Sequence, residues 1–232
     1  MISQQTRFNT ALKQSNRGFS RFTLDIKDIP TTHPMRNKRS CREITGRLDG
    51  DHIMTKASHE QHKEGSKGQT YRVAVIIAST SRYGKYGDSD SPEKCEDESG
   101  QLIVDLLRKA GNQTVYRLLP DDRLRLQTEL MYMLDEGADA AIICGGTGLT
   151  AGDVTIEAVT PLLEKVIPGF GELFRLKSYE EIGTASVLSR ATAGIIKSRA
   201  VFCIPGSPNA ARLALTQIIV PELGHIISHI RK

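Results

Sequence analysis

The arrangement of apolar and polar positions changes character near residue 70. Before it, Phe8, Phe19, Phe22 and Ile26 are scattered among Ser, Thr, Asn, Gln, Lys and Arg without a sustained period, so little apolar surface is available to offset the entropy of ordering the chain. After it, short β-branched runs alternate with stretches at helical spacing, which predicts βαβ units around a parallel sheet. The runs at 72–78, 115–119, 140–144 and 200–204 read as strands, and the continuous apolar run at 140–144 reads as one buried on both faces. Leu102, Ile103, Leu106, Leu107 and Ala110 mark a helix stopped by Gly111, and Leu126, Leu130, Met133 and Leu134 mark a second stopped by Gly137.

Other segments carry weaker patterns. Residues 79–92, rich in Gly, Ser and Asp, read as a loop. From 155 to 166, Val159, Leu162, Leu163 and Val166 fall together, with Pro161 dividing the segment into two short helical pieces. An irregular stretch then runs to about residue 195. Ser207 as N-cap and Pro208 at the first helical position begin a final helix, with Ala211, Leu215, Ile218 and Ile219 facing the core. The expected architecture is α/β, a three-layer αβα sandwich with a mostly parallel sheet over residues 70–232, preceded by an N-terminal extension, 1–69, expected to be disordered.

Charge sharpens this division. Residues 1–69 hold 13 Lys plus Arg against 7 Asp plus Glu, and the remainder 18 against 20, so the basicity belongs to the extension. A nucleic-acid footprint is therefore not expected on the folded part, although a basic arm that touches an anionic surface is the rival it leaves open. Met54 is a candidate alternative start, which the intact mass of the natively expressed protein decides. The longest purely apolar run, 73–78, is far short of the roughly 20 residues that span a bilayer. With no secretory pattern at the N-terminus, a cytoplasmic location is expected. Cys41, Cys95, Cys144 and Cys203 form no C-x-x-C pair and read as reduced thiols, the last two inside buried strands.

Four polar clusters each follow directly after an expected strand: Ser79-Thr-Ser81, Pro120-Asp-Asp122, Gly145-Gly-Thr-Gly148 with Asp153, and Pro205-Gly-Ser-Pro-Asn209. Ligands of open parallel sheets bind outside the carboxyl ends of the strands, so the four can converge on one crevice. The glycines of 145–148 allow a sharp turn whose N–H groups approach a phosphate, and Asp153 and Thr155 add a carboxylate and a hydroxyl close by. Asp121 would approach Asp153 across the crevice, and two carboxylates facing a phosphate suit Mg2+. The alternative for Pro120-Asp121-Asp122 is an N-cap for the next helix. The turn at 205–209 exposes N–H groups at a helix N-terminus, and Ser189-Arg190 could serve a second phosphate. His225 and His229 have the i, i+4 spacing of metal ligands but no supporting ligand in sequence.

Five ordered segments, Gly145-Gly-Thr-Gly-Leu-Thr-Ala-Gly-Asp-Val-Thr-Ile-Glu157, Pro168-Gly-Phe-Gly-Glu172, Glu181-Ile-Gly-Thr-Ala185, Leu188-Ser-Arg190 and Pro205-Gly-Ser-Pro208, resemble the MoaB/Mog family of molybdopterin adenylyltransferases over residues 71 to about 230. The resemblance implies a domain that binds molybdopterin and ATP and transfers AMP from Mg-ATP to the terminal phosphate of molybdopterin, releasing pyrophosphate. It implies a homotrimer or a hexamer, with molybdopterin synthase and a molybdenum insertase as partner proteins. It puts the acidic, Mg2+-binding pair at Asp121 and Asp153, the phosphate loop at Gly145, Gly146, Thr147 and Gly148 with Thr155, and the molybdopterin side at Ser79, Ser189, Arg190, Pro205, Gly206, Ser207 and Asn209. A non-catalytic molybdopterin carrier or regulator is the alternative. The extension 1–69 is no part of the family pattern.

Overall fold

The structure, a computed structural model, describes residues 68–232; the readings of the extension, of Met54 and of Cys41 lie outside the described residues. Strand β1 (Arg72–Ala78) lies inside a six-stranded sheet, between β2 (Gln113–Leu119) and β3 (Ala140–Cys144), and pairs in parallel with both. β3 pairs in parallel with β6 (Arg199–Ile204). Two shorter strands, β5 (Thr192–Ile196) and β4 (Lys165–Val166), complete the order β2-β1-β3-β6-β5-β4 and run antiparallel to their neighbours. The sheet is thus mostly parallel, and its parallel half ends in the expected polar clusters.

Alternate residues of β1 enter different cores, which is why the strand carries no polar face. Val73, Val75 and Ile77 pack under α2 (Glu98–Lys109), α5 (Pro168–Ile182) and the C-terminal helix, together with Ile103, Leu107, Phe174 and Leu215. Ala74, Ile76 and Ala78 pack on the other face under α3 (Arg123–Asp135) and α4 (Thr155–Val159), with Leu126, Leu130 and Ala158. Helices therefore cover both faces, the expected three-layer sandwich. Cys95, Cys144 and Cys203 are buried free thiols.

Several expectations are corrected. The segment 79–92 contains a helix, α1 (Thr80–Tyr86), capped by the Ser79 hydroxyl, which accepts from Arg82 N at 3.4 Å. It buries no residue, so no apolar period betrays it. The stretch expected to be irregular holds the 15-residue α5 and the strand β5. α5 escaped detection because its apolar residues surround it: Phe170 and Phe174 point inward, whereas Leu173, Leu176, Tyr179 and Ile182 are exposed. Pro161 does divide its segment, into α4 and a 3-10 turn at Thr160–Leu162, but Val166 is an exposed strand residue and no part of that packed group.

The last helix is one rod of 23 residues, Pro208–Ile230, made of α6 (Pro208–Ala214), a π turn (Leu215–Ile219) and α7 (Val220–Ile230). Pro221, which has no N–H to donate back into the helix, stands two residues beyond the end of the π turn. By length and apolar composition this rod could cross a membrane, contrary to the expectation drawn from uninterrupted runs. Its Leu215, Ile218, Ile219, Leu223 and Ile227 are instead buried in the core, which accounts for the composition.

Candidate functional site

At the carboxyl ends of β1, β3 and β6 a cavity of about 450 Å³ opens, bounded by Ser79, the loop 145–148, Asp153, Ser189, Arg190, Pro205 and Gly206. Gly145 and Gly146 take positive φ, +102° and +59°. A Cβ on Gly145 would collide with the Ala78 carbonyl, so only glycine lets the loop turn this closely over β1. Thr147, only 4% exposed, lies in the cavity wall.

Both carboxylates of the expected acidic pair lie against this loop. Asp121 is clasped by Thr80: the Thr80 N–H and hydroxyl donate to its Oδ2 at 2.8 and 2.9 Å, and the Asp121 N–H donates to Thr80 Oγ1 at 2.9 Å. Its Oδ1 is buried without a hydrogen-bond partner, 2.5 Å from where a Cβ on Gly146 would stand. Asp153 folds back on its own loop, accepting from the Thr150 N–H at 2.9 Å and the Thr150 hydroxyl at 2.6 Å. The Thr150 hydroxyl, followed by backbone donors at Thr150 and Gly148, holds its carboxyl below the usual carboxylate range. A Cβ on Gly148 would come within 2.7 Å of Asp153 Oδ2. Asp121 thus stands behind Gly146, whereas Asp153 faces the cavity itself.

Asp122 takes the alternative role, capping α3 by accepting from Arg125 N at 2.8 Å. Thr155 is wholly buried: its hydroxyl donates to Gly145 O and its N–H to Gly146 O, both at 2.8 Å, so it shapes the loop from beneath. Arg190 lines the cavity with its guanidinium already engaged. Nε donates to Thr147 O at 2.8 Å, Nη2 to Gly148 O at 2.6 Å, and Nη1 to Glu157 Oε1 at 2.5 Å. Glu157 is in turn held below its ordinary range by that arginine. Arg190 is therefore a strap across the glycine loop before it is anything else. Of the turn 205–209, Pro205 and Gly206 reach the cavity, while Ser207 caps α6 through Ala210 N at 3.3 Å and Asn209 accepts from Arg212 at 3.3 Å, both exposed.

Sequence reasoning passed over four residues here. Thr80 and Thr150 clasp the two carboxylates, and both stood inside polar clusters already quoted. Arg82 lines the cavity from α1, one residue beyond the Ser79-Thr-Ser81 cluster, and Asp97 from the start of α2, which does not follow a strand directly, so the strand-end rule could not find Asp97. Among the described residues no group of three His, Cys, Asp or Glu side chains converges as a metal cage. His225 and His229 pack ring to ring at 4.6 Å, with His225 Nδ1 3.2 Å from Glu222 Oε2. They border a separate cavity of about 410 Å³ beside Ile195 and Ile226.

Residues 74–225 match the family model described as "Probable molybdopterin binding domain". The chain is 46% identical over 147 residues to the molybdenum cofactor biosynthesis protein B of Bacillus subtilis, covering 62% of this chain and 86% of that one. It is 41% identical over 177 residues to the molybdopterin adenylyltransferase of Pyrococcus furiosus, covering 75% and 98%. Among solved structures, the tungsten cofactor synthesizing protein MoaB from Pyrococcus furiosus superposes with a TM-score of 0.62 at 43% identity, over 71% of this chain and 99% of that one.

Proposed function

The chain belongs to the molybdopterin-binding family whose pattern spans residues 74–225, and from that premise we propose that it is a molybdopterin adenylyltransferase of molybdenum cofactor biosynthesis. It transfers AMP from ATP to the terminal phosphate of molybdopterin and releases pyrophosphate. The observation that carries this reading is the glycine loop 145–148 held between the carboxylates of Asp121 and Asp153 at the mouth of a cavity large enough for small phosphorylated molecules.

The attacking group is a phosphate oxygen of molybdopterin, so no side chain of the protein needs to form a covalent intermediate. What remains is alignment and charge neutralisation at the α-phosphorus. The N–H groups of Gly146 and Thr147 receive phosphate oxygens of the nucleotide, in a loop that Thr155 shapes from below and that the Gly145 N–H, given to Ile204 O at 3.0 Å, and the Gly148 N–H, given to Asp153, hold in place. The Arg190 strap keeps the Thr147 and Gly148 carbonyls turned away from the bound anion. Ser79, Ser189, Arg190, Pro205 and Gly206 receive molybdopterin, with Ser207 and Asn209 supporting the turn.

Asp121 and Asp153 would hold Mg2+, which when bound supplies positive charge to the phosphate oxygens. The fit rests on Asp153, whose carboxylate lines the cavity and is held ionised by Thr150; Asp121 Oδ1, buried without a donor behind Gly146, reaches the same ion only if the loop shifts. A site with two carboxylates also suits an ion that draws its remaining ligands from water and phosphate.

The exposed apolar residues Leu173, Leu176, Tyr179, Ile182, Val187 and Leu188 support assembly into a homotrimer or a hexamer. We place the protein in the cytoplasm, in keeping with three unoxidised buried thiols, between molybdopterin synthase and a molybdenum insertase. Incubating the full chain with molybdopterin and Mg-ATP tests the reading: adenylated molybdopterin and pyrophosphate are expected. Tight pterin binding without product would establish a carrier instead.

A further inference from the structure

Asp97 is the one buried carboxylate among the described residues, its side chain 2% exposed, and it lies in the wall of the cavity with Arg82 and Ser99. Its position is unusual for its type. It is the N-cap residue of α2, yet its carboxylate makes no capping bond. Instead the Tyr116 hydroxyl donates to Oδ2 at 2.7 Å, and the Cys95 thiol lies 3.2 Å from that phenol oxygen. Burial first, and then the contacts with Cys95 and Asp97, raise the Tyr116 pKa, so the phenol stays a donor and Asp97 its acceptor.

The second oxygen is poorly served. Oδ1 is 3.9 Å from Arg82 Nε, beyond hydrogen-bond distance, and Arg82 Nη1 is directed to the carbonyls of Cys95 and Glu96. A buried carboxylate with one neutral donor and one distant cation carries a desolvation cost that a ligand's donors would relieve. The chain is built to keep it there. A Cβ on Gly100 would collide with Asp97 Oδ2 and approach the Tyr116 ring to 2.7 Å. The neighbouring Ser99 hydroxyl ties the start of α2 to the cavity turn through Gly206 O at 2.8 Å.

We propose that Asp97 is the specificity residue for the pterin, accepting hydrogen bonds from the N–H edge formed by its 2-amino group and N3. The inference rests on the adenylyltransferase reading. Oδ1 is the oxygen left to accept from these two adjacent donors, since Oδ2 already accepts from Tyr116 and packs on Gly100. Adenine is the other ring the site receives, but its amino group is flanked by ring nitrogens that are acceptors and that a carboxylate repels.

The test uses the full chain and Asp97→Asn. Asparagine keeps the shape and still accepts from Tyr116 through its amide oxygen, but presents an NH2 group where the pterin donors need an acceptor. The KM for molybdopterin should rise about tenfold to a hundredfold, while the KM for ATP and the melting temperature stay near wild type. An unchanged KM for molybdopterin overturns the proposal, as does a rise in the KM for ATP alone or an equal rise for both substrates. A second arm needs neither the variant nor turnover: wild-type binding of 2-amino-4-oxopteridine and of 2,4-dioxopteridine, followed by pteridine fluorescence. The amino compound should bind at least about tenfold more tightly, and equal binding, or none by either, overturns the proposal. Absence of adenylated product from wild type, with the amino preference intact, would instead count against the adenylyltransferase reading alone.

Discussion

Asp121 and Asp122 are adjacent in sequence and do different work, because the chain turns between a strand end and a helix start. Asp121 is held by Thr80 against the glycine loop, whereas Asp122 closes the first turn of α3. Asp153→Ala is expected to lower the adenylylation rate by about 100-fold or more, on the order of 2.7 kcal/mol of transition-state stabilisation. Asp121→Ala should match it. Asp122→Ala should leave the rate within a few-fold and remove about 1 kcal/mol of stability by loss of the cap. Steady-state rates and urea titrations of the three variants check this, and equal rate losses at 121 and 122 would place the acidic pair wrongly.

The charge of Asp153 also sets a pH response. The Thr150 hydroxyl lowers its pKa, so the carboxylate stays ionised above the ordinary value near about 3.9 and is protonated only below it. Any stability from this pairing is present above the unfolded-state pKa and fades as pH falls through the lower folded value. Thr150→Val removes the leading cause. The acid limb of the kcat/KM profile should then move to higher pH; an unmoved limb would show that another group controls it.

At the scale of elements, the parallel strands were legible because each is buried on both faces and reads as an unbroken apolar run, as in the AAIIC of β3. The antiparallel pair was less so. β5 and β6 join through Lys197 and Ser198, both in the left-handed region at φ 48° and 58°, with no glycine or asparagine to announce a tight turn. Lys197 is anchored there, by its N–H to Glu164 Oε1 at 3.0 Å and its Nζ to Asp135. Ser198 is an exposed residue in a conformation that glycine adopts without steric cost. Ser198→Gly should therefore stabilise the protein by about 0.5–1 kcal/mol, seen as a higher urea midpoint; a lower midpoint would mean that the backbone entropy of glycine outweighs the relieved strain.

At the scale of the whole molecule, the outer face of α5 and the 3-10 turn that follows it (Gly183–Leu188) carries several exposed apolar side chains among the described residues, with Leu176 56%, Tyr179 56% and Val187 80% exposed. If this face mediates assembly, the double substitution Leu176→Glu, Tyr179→Glu should convert the native oligomer to monomers in light scattering with the melting transition retained. A wild-type monomer at micromolar concentration would remove the face from that role.

Sequence alone determined the layered fold and brought three of the four expected strand ends to one cavity, with Asp121 of the fourth placed behind Gly146. Both follow from periodicity, from turn chemistry and from the rule that parallel strands deliver their carboxyl ends to one edge. It also supplied the five ordered segments that set the family. What it could not supply were relations between residues far apart along the chain. That Thr80 clasps Asp121 across 41 positions, that Arg190 straps a loop 42 positions earlier, and that Asp97 turns from its helix toward Tyr116 are hydrogen-bond choices. Each polar side chain had a local partner open to it, a cap or solvent. Only the packed sheet and helices, by excluding water and fixing distances, decided which partner it took.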